Sequence, residues 1–390
     1  MRRHRGRRLA ALSAAAALLT AGCSSTSSQD GAARLEVEGP SSPDDAAAAS
    51  SEPWPATTPA EAGFDPQRLS GIARSARRQL STCLAVVRDG RLVGDWSWRD
   101  TDADDPREVF SVTKSVASAL VGIAVKDGLL DLDDRASRWI HEWRGTPSES
   151  VTIRDLLTNT SGRYWSAESD YQEMVGSADR TGYAVGLEQQ YEPGTAWAYN
   201  NAAIQTLDRV ISEATGMTTA EYAEERLFGP LGMAGSRLTS DSSGRSTNVF
   251  FGMQTTCLDL ARFGQLYLDR GRVDGEQILP RSYVEASVGR PGSELNAGYG
   301  YLWWLNRSGV VRGAADPVDE AGQPQTTRTD QLAPGAPEDM FSAQGLFGQT
   351  VLVDPGSRTV VVRLGLMPTD ERAAYTTADA ARVVTEALRR

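Results

Sequence analysis

Hydrophobic and polar positions change their period several times along this chain. Apolar residues recur at helical spacing from Pro66 to about Leu80, behind Asp65 as N-cap and with Pro66 at the first helical position. Residues 83–88 and 91–98 then read as two strands around an Asp89-Gly90 turn. Helical spacing returns after Ser111 with Val116, Leu120, Val121 and Ile123, and Gly128 closes that helix. Between Leu129 and Gly289 the pattern is mostly helical. One helix starts near Val151 and ends at Asn159-Thr160-Ser161-Gly162, and another runs from Asn201 to Ala214 and stops at Gly216. Two more follow at residues 219–227 and, capped by Thr255 or Thr256, up to Leu268, and Pro280 opens a further one. Strand character returns at residues 298–305, 341–353 and 359–364, and residues 376–388 form a closing helix.

Strands at both ends and helices between them predict an α+β sandwich: one antiparallel sheet built from both ends of the chain, flanked by helices, with a mostly helical domain inserted. The expected boundaries are 53–128 with 291–390 for the sheet domain and 129–290 for the helical domain. Residues 163–190 and 306–338 lack a clear period. A long segment of that kind inside a domain is usually functional or disordered, and both are expected to shape a pocket.

The first residues follow a different rule. Five arginines lead an Ala/Leu-rich run that ends at Thr20-Ala21-Gly22-Cys23, which predicts a secretory signal over residues 1–22, too short to span a membrane. Its ending resembles a bacterial lipobox, with Thr20 where an aliphatic residue is usual. It implies lipidation of Cys23 and an exported protein anchored to the outer side of the cell membrane; the alternative is an ordinary cleaved signal and a secreted protein. Residues 23–52 are rich in Ser, Ala, Asp, Gly and Pro and read as a disordered tether.

Charge and rare residues exclude whole classes. The formal net charge is −11, and taking away five arginines and no acid with residues 1–22 leaves −16. Such a chain has no electrostatic reason to bind nucleic acid or an anionic membrane face, so membrane contact is expected only through the lipid. His4 leaves with the signal and His141 is the one histidine left, read as a surface or packing residue. No metal site can rest on several imidazoles, and a Gly-x-Ser-x-Gly elbow is absent. Cys83 and Cys257 read equally as one disulfide or as two buried thiols.

The candidate chemistry is concentrated in Phe110-Ser111-Val112-Thr113-Lys114. Ser111 and Lys114 share one face of a first helical turn, so the amine can take a proton while the hydroxyl attacks a carbonyl. The chain contains only two lysines, Lys114 and Lys126, and uses arginine for its other basic side chains. Arginine does not release its proton at useful pH. Tyr199 and Asn201 stand two apart at a helix entry, where a phenol can relay a proton and an amide can hold a substrate. Residues 341–349 read as a strand with glycines at 345 and 348, which mark close approach of a ligand or a backbone.

Ser111-Val112-Thr113-Lys114, Tyr199-Asn200-Asn201 and Ala343-Gln344-Gly345, in that order, resemble the three motifs of penicillin-recognising serine hydrolases, in the spacing of the class C β-lactamase branch. Leu156-Leu157-Thr158-Asn159-Thr160-Ser161-Gly162 and Glu192-Pro193-Gly194-Thr195 are similar too. The resemblance spans about residues 55–390. It implies a β-lactamase/transpeptidase-like fold, an acyl-serine intermediate at Ser111, and proton transfer shared by Lys114 and Tyr199. It further implies that Asn201 orients Lys114 and substrate, that the N–H groups of Ser111 and Leu346, beside Gly345, form the oxyanion hole, and that neither a metal nor an organic cofactor is needed. Ala343 stands where lactamases and cell-wall peptidases carry Lys or His for a substrate carboxylate. That departure puts an ester first, an amide of the 6-aminohexanoate-oligomer kind second, and a β-lactam or D-peptide last. A catalytically silent binding protein of the same fold is the alternative from another class. Tyr164, Trp165 and Tyr171 are candidate pocket walls.

Overall fold

The computed structural model describes residues 53–99, 101, 105–314, 329–368 and 374–389. The expected signal, Cys23 and the tether lie outside them.

Helix α1 (Pro66–Arg78) starts as read: the Asp65 carboxylate accepts the N–H groups of Gln67 and Arg68, with proline next to the cap. Strands β1 (Ser81–Arg88) and β2 (Arg91–Ser97) form the hairpin. Helix α2 (Val112–Lys126) follows, buried from Val112 to Ala124. Its apolar stripe widens to the full circumference because it runs through the centre of the molecule. Helix α3 (Ile153–Thr158) has a Thr152/Asp155 capping box and ends on Asn159 at φ 61°. Helix α4 (Asn201–Thr215) is capped by Asn200 and ends on Gly216, also left-handed. Helix α5 (Cys257–Leu268) takes Thr256 as its cap.

The C-terminal strands are β3 (Trp304–Leu305), β4 (Phe341–Gly345), β5 (Gln349–Asp354) and β6 (Thr359–Gly365). With the first hairpin they make one six-stranded sheet, order β2-β1-β6-β5-β4-β3, antiparallel throughout. The strand period of two divides the side chains. Ala85, Val87, Val351, Val360 and Val362 face a large core shared with α2, α4 and α5. Leu84, Val86, Leu352 and Val361 face a smaller core under α1 and the closing helix α6 (Thr377–Arg382). Cys83 of β1 and Cys257 of α5 form a disulfide, Cα atoms 6.5 Å apart, across 174 residues of sequence. No helix among the described residues is long and apolar enough to cross a membrane.

Four elements differ from the sequence expectation. Only Trp304–Leu305 of the stretch 298–305 is a strand, because the preceding backbone bonds elsewhere: Leu302 N–H donates to Leu157 O, and Leu302 O accepts from the Ser115 hydroxyl. Residues 341–353 are a hairpin rather than one strand, turning at 346–348 through Phe347 (φ 65°) and Gly348 (φ 79°). The helices expected at 219–227 and 376–388 each open into a wider π turn after a few residues, at Glu224–Phe228 and Val383–Ala387.

Candidate active site

The first turn of α2 brings Ser111 and Lys114 together. Serine at an N-cap commonly turns its hydroxyl onto the helix backbone, but Ser111 makes no such bond. Its Oγ instead accepts a hydrogen bond from Lys114 Nζ at 2.8 Å. Phe110, the residue before it, has φ 48°, a costly conformation for a bulky side chain that sharpens the bend into the helix.

Lys114 is 1 % exposed. Besides Ser111 its amine reaches the Phe250 carbonyl at 2.7 Å and lies 4.8 Å from the centre of the Tyr199 ring. Burial among these groups lowers its pKa from the usual lysine range to about 7, while the Asp170 carboxylate acts in the opposite sense. Tyr199 is held by stacking on Trp304, centroids 5.6 Å apart, and edge-on against Tyr299. Burial drives its phenol well above the ordinary value, against a smaller lowering by the Ser111 side chain. The phenol therefore keeps its proton at any working pH, and of the two groups the amine is the one that can be a base.

Asn201 stands at the first position of α4 and lines the same cavity. Its backbone N–H and that of Ala202 donate to the two oxygens of Asp170, at 2.7 and 3.0 Å. Its side chain makes no hydrogen bond to Lys114, and its Oδ1 is buried without a protein partner. Asp170 is fully buried, and burial pushes its pKa up to about 6 against the pull of those N–H groups and of Lys114. Nothing in the sequence set Asp170 apart from Glu168 or Glu173 nearby; only the folding of this segment onto the start of α4 does.

β4 brings in the other side. A Cβ on Gly345 would lie 2.2 Å from the Val109 carbonyl oxygen, so the bare glycine backbone lets the strand end sit against the bend before Ser111. Leu346 belongs to the turn, not to a strand edge, and is 37 % exposed. Phe347 packs edge-on against Phe110, ring centroids 5.3 Å apart. Ala343 is wholly buried, and the Gln344 amide donates to Ser342 Oγ.

These parts enclose a cavity of about 300 Å³. Ser111, Tyr199, Asn201, Gly345 and Leu346 all line it, and among the described residues its lining carries no formally charged side chain. Phe110, Val175, Phe250, Phe251, Trp304 and Ala314 give it apolar walls. Of the three expected wall residues Tyr171 is there, whereas Tyr164 and Trp165 are not. Phe250-Phe251 gave a signal that sequence reading passed over, a pair of large aromatics in a polar stretch. Of the loop 306–338, residues 315–328 fall outside the described residues. Asn306 binds its base, accepting from Ala333 N–H and donating to the carbonyls of Ala333, Ala336 and Pro337. His141 is exposed and takes no part in the cavity lining.

A family model described as Beta-lactamase matches residues 41–383. An uncharacterized protein of Alkalihalophilus pseudofirmus is 25 % identical over 71 % of this chain and 81 % of its own. An esterase of Burkholderia gladioli is 32 % identical over 40 % of this chain and 46 % of its own length. The chain spans only about a third of the D-aminopeptidases it also resembles, such as that of Brucella anthropi. A solved structure described as a putative 6-aminohexanoate-dimer hydrolase from Bacillus anthracis superposes with a TM-score of 0.65 at 21 % identity, covering 85 % of each chain. That likeness shows the fold.

Proposed function

Because this chain belongs to the β-lactamase family of serine hydrolases, we propose that it cleaves a small uncharged ester through an acyl intermediate on Ser111. The observation that carries the reading is the wholly buried Lys114 amine, 2.8 Å from Ser111 Oγ with a pKa near neutrality.

In the proposed reaction neutral Lys114 takes the hydroxyl proton as Ser111 Oγ attacks the ester carbonyl. The N–H groups of Ser111 and Leu346 receive the resulting oxyanion. Lys114, now an ammonium, returns its proton through the Tyr199 phenol to the departing alkoxide, leaving acyl-Ser111 and an alcohol. Water then attacks the acyl carbon, the same groups take and return its proton, and the acid leaves. Asn201, with its unpartnered Oδ1, orients the substrate.

The uncharged cavity lining and the buried Ala343 give no cation to a substrate carboxylate, which favours an ester over a β-lactam or a D-peptide. The esterase among the relatives supports the same order. The second reading is an amide, which a relative from Paenarthrobacter ureafaciens named 6-aminohexanoate-dimer hydrolase supports, 20 % identical over 77 % of this chain and 76 % of its own. Export is part of the proposal, with residues 1–22 as signal and Cys23 as the lipidated anchor, and the Cys83–Cys257 disulfide supports an oxidising compartment.

The test is labelling with a fluorophosphonate, followed by a comparison of short p-nitrophenyl esters, aminohexanoate dimer and nitrocefin. Labelling that disappears in Ser111→Ala, with ester turnover the fastest, is the expected result. A folded wild-type protein that takes no label would leave a binding protein as the reading.

A further inference from the structure

Arg363 is wholly buried in β6, on the face whose other residues are Val361 and its apolar neighbours under α1 and α6. An arginine in such a run is costly to bury, and it ordinarily has a carboxylate to compensate it. Arg363 has no ion pair among the described residues. Each of its three nitrogens donates instead to a neutral oxygen: Nε to Ser81 Oγ at 2.8 Å, Nη2 to Gln79 O at 2.7 Å, and Nη1 to Phe347 O at 2.6 Å. Its guanidinium lies 4.8 Å from the centre of the Tyr375 ring.

Phe347 is the central residue of the turn at 346–348, held at φ 65°. A Cβ on Gly348 would meet Tyr375 O at 2.7 Å and Arg363 Nη1 at 3.0 Å, so that turn is moulded onto the guanidinium from behind. From the front, the Phe347 ring meets Phe110, the residue before Ser111. A line of contacts thus runs from the end of α1, through Arg363 and the turn, to the bend that carries the serine.

We propose that Arg363 is a positioning residue for acyl transfer, fixing the Phe347 carbonyl so that the Leu346 N–H faces the oxygen of a group bound to Ser111. The proposal rests on the hydrolase reading above. The rigid planar fork is what the position requires, since three divergent acceptors need donors at fixed angles. Lysine keeps the charge but serves them with one rotatable ammonium. A donor held slightly out of place loses part of the roughly 10²–10³-fold in kcat that one oxyanion donor supplies.

The experiment compares wild type with Arg363→Lys and Arg363→Gln by kcat and KM on p-nitrophenyl acetate and by amide hydrogen exchange. Arg363→Lys is expected to lower kcat about 10–100-fold with KM within about twofold. Exchange should quicken at residues 346–348 while helix α3 stays protected. Unchanged kcat and exchange in folded Arg363→Lys would overturn the proposal. So would a fall in kcat that only follows the folded fraction, with exchange rising across the whole sheet in both variants. If wild type takes no fluorophosphonate, the hydrolase reading fails by itself, and exchange at 346–348 still decides whether Arg363 holds the turn.

Discussion

Gly345 lies so close to Val109 that a methyl group on it would sit 2.2 Å from the Val109 carbonyl oxygen. The two residues fix the distance between the strand that ends at the turn and the bend that carries Ser111. Gly345→Ala should force β4 away from that bend. Overpacking of this kind costs about 1–3 kcal/mol, which a thermal melt will show as a loss of a few degrees. The activity should fall further than the stability, by about tenfold or more on a p-nitrophenyl ester, because the Leu346 N–H moves with the strand end.

Lys114 sets the pH dependence. Its folded pKa of about 7 means that the neutral base becomes available as pH rises through that value. The rate constant kcat/KM should therefore climb from pH 6 to 8 and then level. Asp170 holds the lysine pKa up, so Asp170→Asn should move that rise to lower pH. A pH–rate profile that does not shift between the two proteins would separate Asp170 from the base.

Asp170 also titrates the stability. Its folded pKa is raised from 3.8 to about 6. A group shifted in that direction stabilises the fold fully below its unfolded value, and the contribution is lost as pH rises through the folded one. Asp170→Asn also weakens the two bonds from the Asn201 and Ala202 N–H groups, at a cost of about 1–3 kcal/mol. Urea titrations should find that penalty larger at pH 4 than at pH 7, where the wild type already bears the burial of a charge.

Tyr199→Phe keeps the ring that stacks on Trp304 and removes only the hydroxyl. The melting temperature and KM should hardly change. A drop in kcat of about 10²–10⁴, the usual worth of a positioned proton-transfer group, is expected in stopped-flow or steady-state assays.

The Cys83–Cys257 bond joins β1 to the start of α5 across 174 residues. Closing so long a loop removes much freedom from the unfolded chain, and its reduction should cost about 2–5 kcal/mol. Neither cysteine lines the cavity. The dithiothreitol-treated protein should therefore melt earlier yet retain its kcat below that melting point.

Much of this could be read from the chain because it depends on near neighbours. Asp65-Pro66, Asn159 and Gly216 begin or end their helices where the sequence places them, and Thr256 proves to be the cap of the two threonines offered, since caps and turns act across two to four residues. The order and spacing of Ser111, Lys114, Tyr199 and Asn201 pointed to the family before any contact was known. Tertiary structure decided what those residues can do. The amine can shed its charge near neutral pH because folding puts the Phe250 carbonyl, 136 positions away, and the ring of Tyr199 around it in place of water. Asp170, Trp304 and Arg363 carry no local mark of their roles, and the pairing of the cysteines and the turn at 346–348 were equally hidden. Local geometry is set by backbone bonds within a few residues, whereas desolvation, charge coupling and cavity shape arise only when distant segments exclude solvent together.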